Sequence, residues 1–180
     1  MSYWLPLIVF IPHMIEEYPR FPAWATRHFG ATSKAWYVYS HIVLVAIAAT
    51  VCLWAGNASS QGWGRIVGTA LMITLAMNGV FHVVTTFRFR EYSPGVVTGT
   101  ILFFPATGYM LLLTVRESLL MTPQIGTAVV IGVVVQVAVV ASLYLRMDID
   151  WRFQRAQRSA AAKAAAQRGL STKRSANRRP

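Results

Sequence analysis

The residues most suited to chemistry lie in the sequence HMIEE, at the end of the first apolar segment: His13, Glu16 and Glu17. On a helix, a residue shares a face with those three and four positions away, so either carboxylate can lie beside the imidazole of His13. Adjacent side chains diverge by about 100°, so the two glutamates need not address one centre. One can bind a cation or act as a base while the other pairs with a nearby arginine: Arg20, Arg88 or Arg90.

Further polar side chains occur at a similar predicted depth in two later apolar segments. His41 lies about one and a half turns into one segment, and Asn78 and His82 share a helix face near the end of the next. Imidazoles combined with carboxylates bind Zn²⁺ or non-haem Fe²⁺. Glu16 and Glu17 are therefore candidate catalytic bases, and Asn78 is either a ligand or a group that orients a histidine. The complete predicted metal set is His13, Glu16, Glu17, His41, Asn78 and His82.

The segments that carry these residues are apolar enough for a lipid bilayer. Hydrophobic residues make up 55% of the 180 and charged residues 13%, against about 25% charged residues in soluble domains. A membrane-spanning helix needs about 20 mostly apolar residues. Four segments meet this requirement: 36–56, 63–87, 94–115 and 122–145. Pro105 is expected to kink the third of them.

The first apolar segment, 3–15, is shorter and is interrupted by Pro6 and Pro12. As a helix it reaches about 20 Å, so it is a span of a thin membrane, a half-span or a re-entrant element. A cleaved signal peptide is not expected, because a basic leading region is missing and two glutamates precede the small-residue motif. The predicted fold is an all-α integral membrane bundle with four full spans and this short segment, giving four or five transmembrane helices. We expect one transmembrane domain, 1–146, followed by a basic tail, 147–180.

The distribution of positive charge predicts the orientation. All 17 lysines and arginines except Arg65 and Arg116 lie in the loops 18–35 and 88–93, in the tail, or at its junction with the last span. Positively charged loops remain in the cytoplasm, so we expect a multi-pass protein of the inner (plasma) membrane with a cytoplasmic C-terminus. The tail is predicted to be helical, then disordered from about residue 169, and to bind anionic lipids. Nucleic acid is an unlikely partner, since no folded recognition element accompanies the charge.

Two more motifs follow HMIEE along the chain: NGVFH from Asn78 to His82, and YSPG from Tyr92 to Gly95. YSPG is typical of a turn that starts a helix, with its glycine permitting close packing. Together the three motifs resemble the HXXEE family of small bacterial membrane proteins, over most of the chain up to about residue 115. The resemblance implies a multi-span helical membrane protein with its active site at the motif, and it brings no established reaction.

The sequence leaves two functions open. One is a membrane-embedded metal-dependent enzyme, a hydrolase or a mononuclear iron oxygenase, that acts on a lipid or other hydrophobic small molecule. The two available glutamates are fewer than the carboxylates of a typical di-iron bundle. The other is a non-enzymatic proton- or ion-coupled carrier or scaffold, since glutamate and histidine also relay protons. Simpler interpretations are that the glutamates mark a membrane exit, that His28 is an exposed loop residue, and that Gln136 makes an interhelical hydrogen bond.

Overall fold

The structure, a computed structural model, describes residues 2–57 and 62–176, and every regular element within them is helical. A short 3₁₀ turn precedes α1, and a π-helical stretch, Gly99–Phe103, connects α5 to α6 without interruption. The seven α-helices are α1 (Leu5–Glu17), α2 (Phe21–Phe29), α3 (Lys34–Gly56), α4 (Trp63–Phe89), α5 (Val96–Thr98), α6 (Phe104–Arg116) and α7 (Thr122–Ala176).

Four of these segments are long and apolar enough to cross a membrane. They are α3, α4, the continuous run Val96–Arg116 and the part of α7 from Thr122 to Leu145. This confirms the predicted all-α helical bundle of a multi-pass membrane protein, with boundaries within a few residues of those expected. The 13-residue α1 is not one of the four spans, and it packs against the bundle through Val9 and Phe10.

Helix α4 occupies the centre of the bundle. Half of its most apolar 18-residue stretch is buried inside the protein, compared with 17% of the corresponding stretch of α3 and 22% in each of the other two spans. Small residues allow this position: a Cβ on Gly68 would lie 2.6 Å from Cβ of Ala55 on α3. Likewise, a Cβ on Gly132 of α7 would lie 2.7 Å from Cβ of Ile73. The side chains of α4 are therefore directed at several neighbouring helices at once.

The predicted kink in the third span takes the form of the π-helical stretch that ends just before Pro105. Proline lacks the N–H that would continue the regular hydrogen-bonding pattern, and π-helical turns accommodate such interruptions. At this stretch, the backbones of Gly79 on α4 and Gly99 touch, since a Cβ on Gly79 would lie 2.8 Å from the Gly99 carbonyl oxygen. This contact holds the junction between α5 and the π-helical stretch against α4.

The loop predicted between the first two apolar segments contains a helix, α2, which covers this end of the bundle. Its buried side chains include Phe21, Trp24 and Phe29, which pack against Tyr37 and Leu143. The expectation that His28 is an exposed loop residue was wrong. Its side chain is only 18% exposed, because the ring stacks on Phe89 with the centroids 3.9 Å apart.

Beyond the last span, α7 continues as one helix to Ala176. The predicted boundary at residue 146 therefore causes no break in the helix. Residues 169–176 are helical, although the sequence predicts disorder from about residue 169. Residues 177–180 of the predicted tail lie outside the described residues.

Candidate metal centre

Three histidines from three helices surround one buried carboxylate. Glu17, at the end of α1, is 4% exposed. Its Oε1 lies 3.5 Å from Nε2 of His13 and 3.1 Å from Nε2 of His82, and its Oε2 lies 3.3 Å from Nε2 of His41. The Tyr37 hydroxyl donates a hydrogen bond to Oε2 at 3.0 Å. The first segment and two of the spans thus meet at one point, the Glu17 carboxylate.

Each histidine is also anchored through its other ring nitrogen. Nδ1 of His13 lies 2.8 Å from the Thr98 hydroxyl, and Nδ1 of His82 lies 3.0 Å from the Ser93 hydroxyl. Nδ1 of His41 lies 2.8 Å from the carbonyl oxygen of Tyr37, one turn earlier on α3. Contacts of this kind fix the orientation of histidines that bind metals through Nε2.

The partners of Nδ1 determine where two of these rings carry their proton. A carbonyl oxygen only accepts, so His41 must donate from Nδ1. Thr98 donates its single hydroxyl proton to Glu16, so it can only accept from Nδ1 of His13. In their neutral forms, both rings therefore direct an Nε2 lone pair at the Glu17 carboxylate. Acceptors at this distance repel each other unless a proton or a metal cation lies between them.

The donor set fits a metal ion. Donor atoms of His13, Glu17 and His82 all lie within 4.8 Å of one another, and all three residues are buried. Nε2 of His82 lies outside hydrogen-bonding geometry with Glu17, so it is a buried polar atom without a hydrogen-bond partner. Tetrahedral ligands at about 2.1 Å from zinc are separated by about 3.4 Å, close to the 3.5 and 3.1 Å from Oε1 of Glu17 to the Nε2 atoms of His13 and His82. Two imidazoles and one carboxylate form a known ligand set for zinc and for non-haem iron.

Glu16 turns away from this cluster. Its carboxylate accepts hydrogen bonds from the hydroxyls of Tyr92 and Thr98, from the backbone N–H of Gly95 just before α5, and from the backbone N–H groups of Val97 and Thr98 in α5. Partial burial raises its pKa, but these hydrogen bonds outweigh that effect and lower the pKa from 4.5 to about 2. No arginine is among these partners, contrary to one expectation from the sequence. The structure therefore places Glu16 against the turn before α5 and against α5 itself, and not among the donor atoms of the histidine–glutamate cluster.

The cluster lies at the wall of a cavity of about 520 Å³, a size typical of small-molecule sites. Asn78 also lines this cavity, one turn before His82, and its Oδ1 is buried without a hydrogen-bond partner. The remaining lining is mainly apolar and comes from α1, the start of α2, α3, α4 and α7. Its outer members are exposed on the surface of the bundle, with Tyr39 71% and Val43 56% exposed. On one side, the cavity is therefore bordered by side chains that lie at the outer surface of the helical bundle.

A family model described as "Protein of unknown function with HXXEE motif" matches residues 4–110, more than half of the chain. The chain belongs to the HXXEE family. Neither a curated protein nor a solved structure matches it. In this HXXEE protein, the histidine and the second glutamate of the motif face the cluster, and the first glutamate faces the turn.

Several residues of the HXXEE site are not identified by the sequence reasoning. Thr98 and Ser93 anchor two histidines, but neither residue type alone indicates a metal centre. Gly95 has φ +105°, and a Cβ there would lie 2.6 Å from Cε1 of His13 and 2.9 Å from Nε2 of His82. The YSPG motif correctly predicts a turn with close packing, but it does not reveal that the histidines are the packing partners.

Proposed function

We propose that this HXXEE protein is a membrane-embedded metal-dependent enzyme that acts on a lipid or other hydrophobic small molecule. The observation that carries the proposal is the convergence of three anchored imidazoles on Glu17 at the wall of an apolar cavity. Both zinc and iron accept this ligand set. Zinc would favour hydrolysis, and iron would favour oxygenation.

In this proposal, His13, Glu17 and His82 hold the metal, which when bound would activate water or dioxygen beside the substrate. His41 lies on the second oxygen of Glu17, and its side chain is 14% exposed, so it is placed to take or release a proton at Nε2. Glu16 is unsuited to act as a base, because hydrogen-bond donors already occupy its oxygens.

The surroundings of the cluster suit a hydrophobic substrate. The exposed apolar side chains between α3 and α7 provide an entry route from the bilayer, without passage through water. At the end of the bundle, Phe21 of α2 packs against His82, with 6.2 Å between the ring centroids, and limits access of water to the cluster. Exclusion of water strengthens electrostatic interactions inside such a site.

A proton- or ion-coupled carrier is the second candidate, because the same lone pairs of His13 and His41 can share protons with Glu17. The two candidates differ in metal content. Elemental analysis of the purified full-length protein should find about one zinc or iron per chain. His82→Ala should abolish this metal, whereas His28→Ala, which removes a histidine outside the cluster, should retain it. A wild-type protein that remains metal-free after incubation with Zn²⁺ and Fe²⁺ would overturn the enzyme proposal and leave the carrier.

We also propose that the C-terminus is cytoplasmic, that the membrane is the plasma membrane and that the basic end of α7 binds anionic lipids. The supporting observation is the charge distribution, with Arg65 and Arg116 the only lysine or arginine residues on the opposite predicted side. A cytoplasmic reporter fused after Pro180 should be active. Activity of a periplasmic alkaline phosphatase fusion at that position would refute this orientation.

A further inference from the structure

Two amide side chains in the cavity have polar atoms without partners, and neither amide belongs to the histidine–glutamate cluster. Oδ1 of Asn78, on α4, and Nε2 of Gln136, on α7, are both buried and have no hydrogen-bond partner among the residues that the structure describes. Gln136 is only 4% exposed. A buried polar atom without a partner is costly, and native structures contain few of them. Both residues line the cavity beside the cluster.

The packing of α4 against α7 places these amides at the same level. The Thr74 hydroxyl on α4 lies 3.2 Å from the carbonyl oxygen of Gly132 on α7. Both helices run in the same direction, because α4 and α7 are alternate spans of the bundle. Asn78 and Gln136 each follow this contact by four residues, or about one helical turn. The two amides therefore lie side by side on neighbouring helices, one turn before His82.

The chemistry of the two atoms defines what would satisfy them. Oδ1 of Asn78 needs a hydrogen-bond donor, and Nε2 of Gln136 needs an acceptor. The described residues that line the cavity include no lysine or arginine, and Glu17 is their one carboxylate. At the level of the two amides, a phosphate or a free carboxylate would therefore be buried without a cationic side chain beside it, and the proposed metal ion lies about one helical turn away. An uncharged head group that both donates and accepts hydrogen bonds meets these conditions.

We infer that the cavity binds a long-chain molecule with an uncharged donor–acceptor head group, such as a fatty amide or fatty alcohol, held by Asn78 and Gln136. This inference rests on the proposed function, because it names the substrate class of the same cavity. It also gives Asn78 a different role from the one expected from the sequence: Asn78 contacts the ligand's head group and is not a metal ligand. The apolar chain extends along the α3 and α7 walls.

The inference can be tested by native mass spectrometry of the detergent-solubilised full-length protein with three probes of equal chain length. These are dodecanamide, which donates and accepts, methyl dodecanoate, which only accepts, and dodecanoate, which is charged. The wild type should retain dodecanamide best. Asn78→Leu and Gln136→Leu should each reduce this preference about tenfold, the equilibrium effect of one lost hydrogen bond. Val139→Ala, a change in the same cavity wall without loss of a polar group, should affect all three probes alike.

The same titration in His82→Ala separates this inference from the metal proposal. Preference for dodecanamide should persist there, because neither amide is a donor atom of the cluster. Equal retention of the three probes by the wild type would overturn the inference. Another contrary result would be a lower unfolding temperature in Gln136→Leu with an unchanged order of probes. That result would show that the two amides pair with each other as an interhelical hydrogen bond.

Discussion

Two adjacent carboxylates at the end of α1 have opposite surroundings. Glu16 faces the turn before α5, where hydroxyl and backbone N–H groups donate hydrogen bonds to it. Glu17 faces three imidazoles, two of which direct lone pairs at it, and one hydroxyl donor, that of Tyr37. A carboxylate surrounded by donors is satisfied by the protein itself. A carboxylate surrounded by acceptors requires a proton or a metal cation between them, so the second glutamate marks the candidate site.

The largest effect should come from Glu17→Gln. Removing a carboxylate ligand should weaken zinc binding at least 100-fold, as measured by competition with a chelator, because the buried negative charge that attracts the cation is lost. With both proteins metal-free, the unfolding temperature should stay constant or rise, since a buried charge facing acceptors is removed. Glu117→Gln, at an exposed carboxylate beyond α6, should change neither property. Unaltered zinc affinity in Glu17→Gln would contradict the division between the two glutamates.

Glu16→Gln should show the reverse pattern: it should lower the stability of the protein and leave its zinc affinity unchanged. A glutamine places an NH₂ group against backbone N–H donors, so several hydrogen bonds to a charged acceptor are lost. The free energy of unfolding should fall by about 1–2 kcal/mol, a value reduced by the partial exposure of this carboxylate. Denaturant unfolding in detergent would measure it. A stability equal to that of Glu117→Gln would show that the turn does not depend on Glu16.

The two carboxylates are linked through Thr98, whose hydroxyl donates to Glu16 and contacts Nδ1 of His13. Thr98→Val removes this hydroxyl at nearly constant volume and should weaken zinc binding 10- to 100-fold, the usual cost of losing a group that orients a ligand. Thr98→Ser retains the hydroxyl and should bind zinc like the wild type. Equal weakening by both substitutions would indicate a packing effect.

The smallest effect concerns a third carboxylate, Glu91, which is partly exposed in the turn between α4 and α5. Hydrogen bonds from His28 and then Arg27 lower the pKa of Glu91 below its usual value of 4.5. Its contribution to stability is therefore complete above pH 4.5 and is lost as the pH falls through the folded-state pKa. Glu91→Gln should lower the unfolding temperature slightly at pH 7, and this difference should disappear in acid. A difference that grows as the pH falls would contradict this assignment.

Much of the fold was predictable because apolar runs of about 20 residues are distinctive in a sequence. Helix α2 was not predictable, since its nine residues lie in a loop that carries charges. Its aromatic side chains become buried only by packing against the bundle. For the same reason His28 is half of an aromatic stack that no local pattern in the sequence indicates.

Within the candidate site, helical spacing correctly places His13 beside Glu17 and predicts that the two glutamates diverge. It does not determine which glutamate faces the histidines, because that depends on where the turn before α5 packs. Gly79 and Gly99 set this position by backbone contact, and such contacts leave no chemical signature in a sequence. Thr98 and Ser93 acquire their roles only through the same packing.

The long helix α7 begins after the region that the family model matches, which ends at residue 110. It provides Gln136, Val139 and Leu143 to the cavity but none of the histidines or glutamates of the cluster. The histidine–glutamate cluster and part of the cavity wall are therefore encoded by separate stretches of the gene. Exchanging the last helix between relatives would alter what the cavity admits without changing the residues of the cluster. Under the proposed function, this architecture would let evolution diversify the ligands of the cavity while the same cluster is inherited.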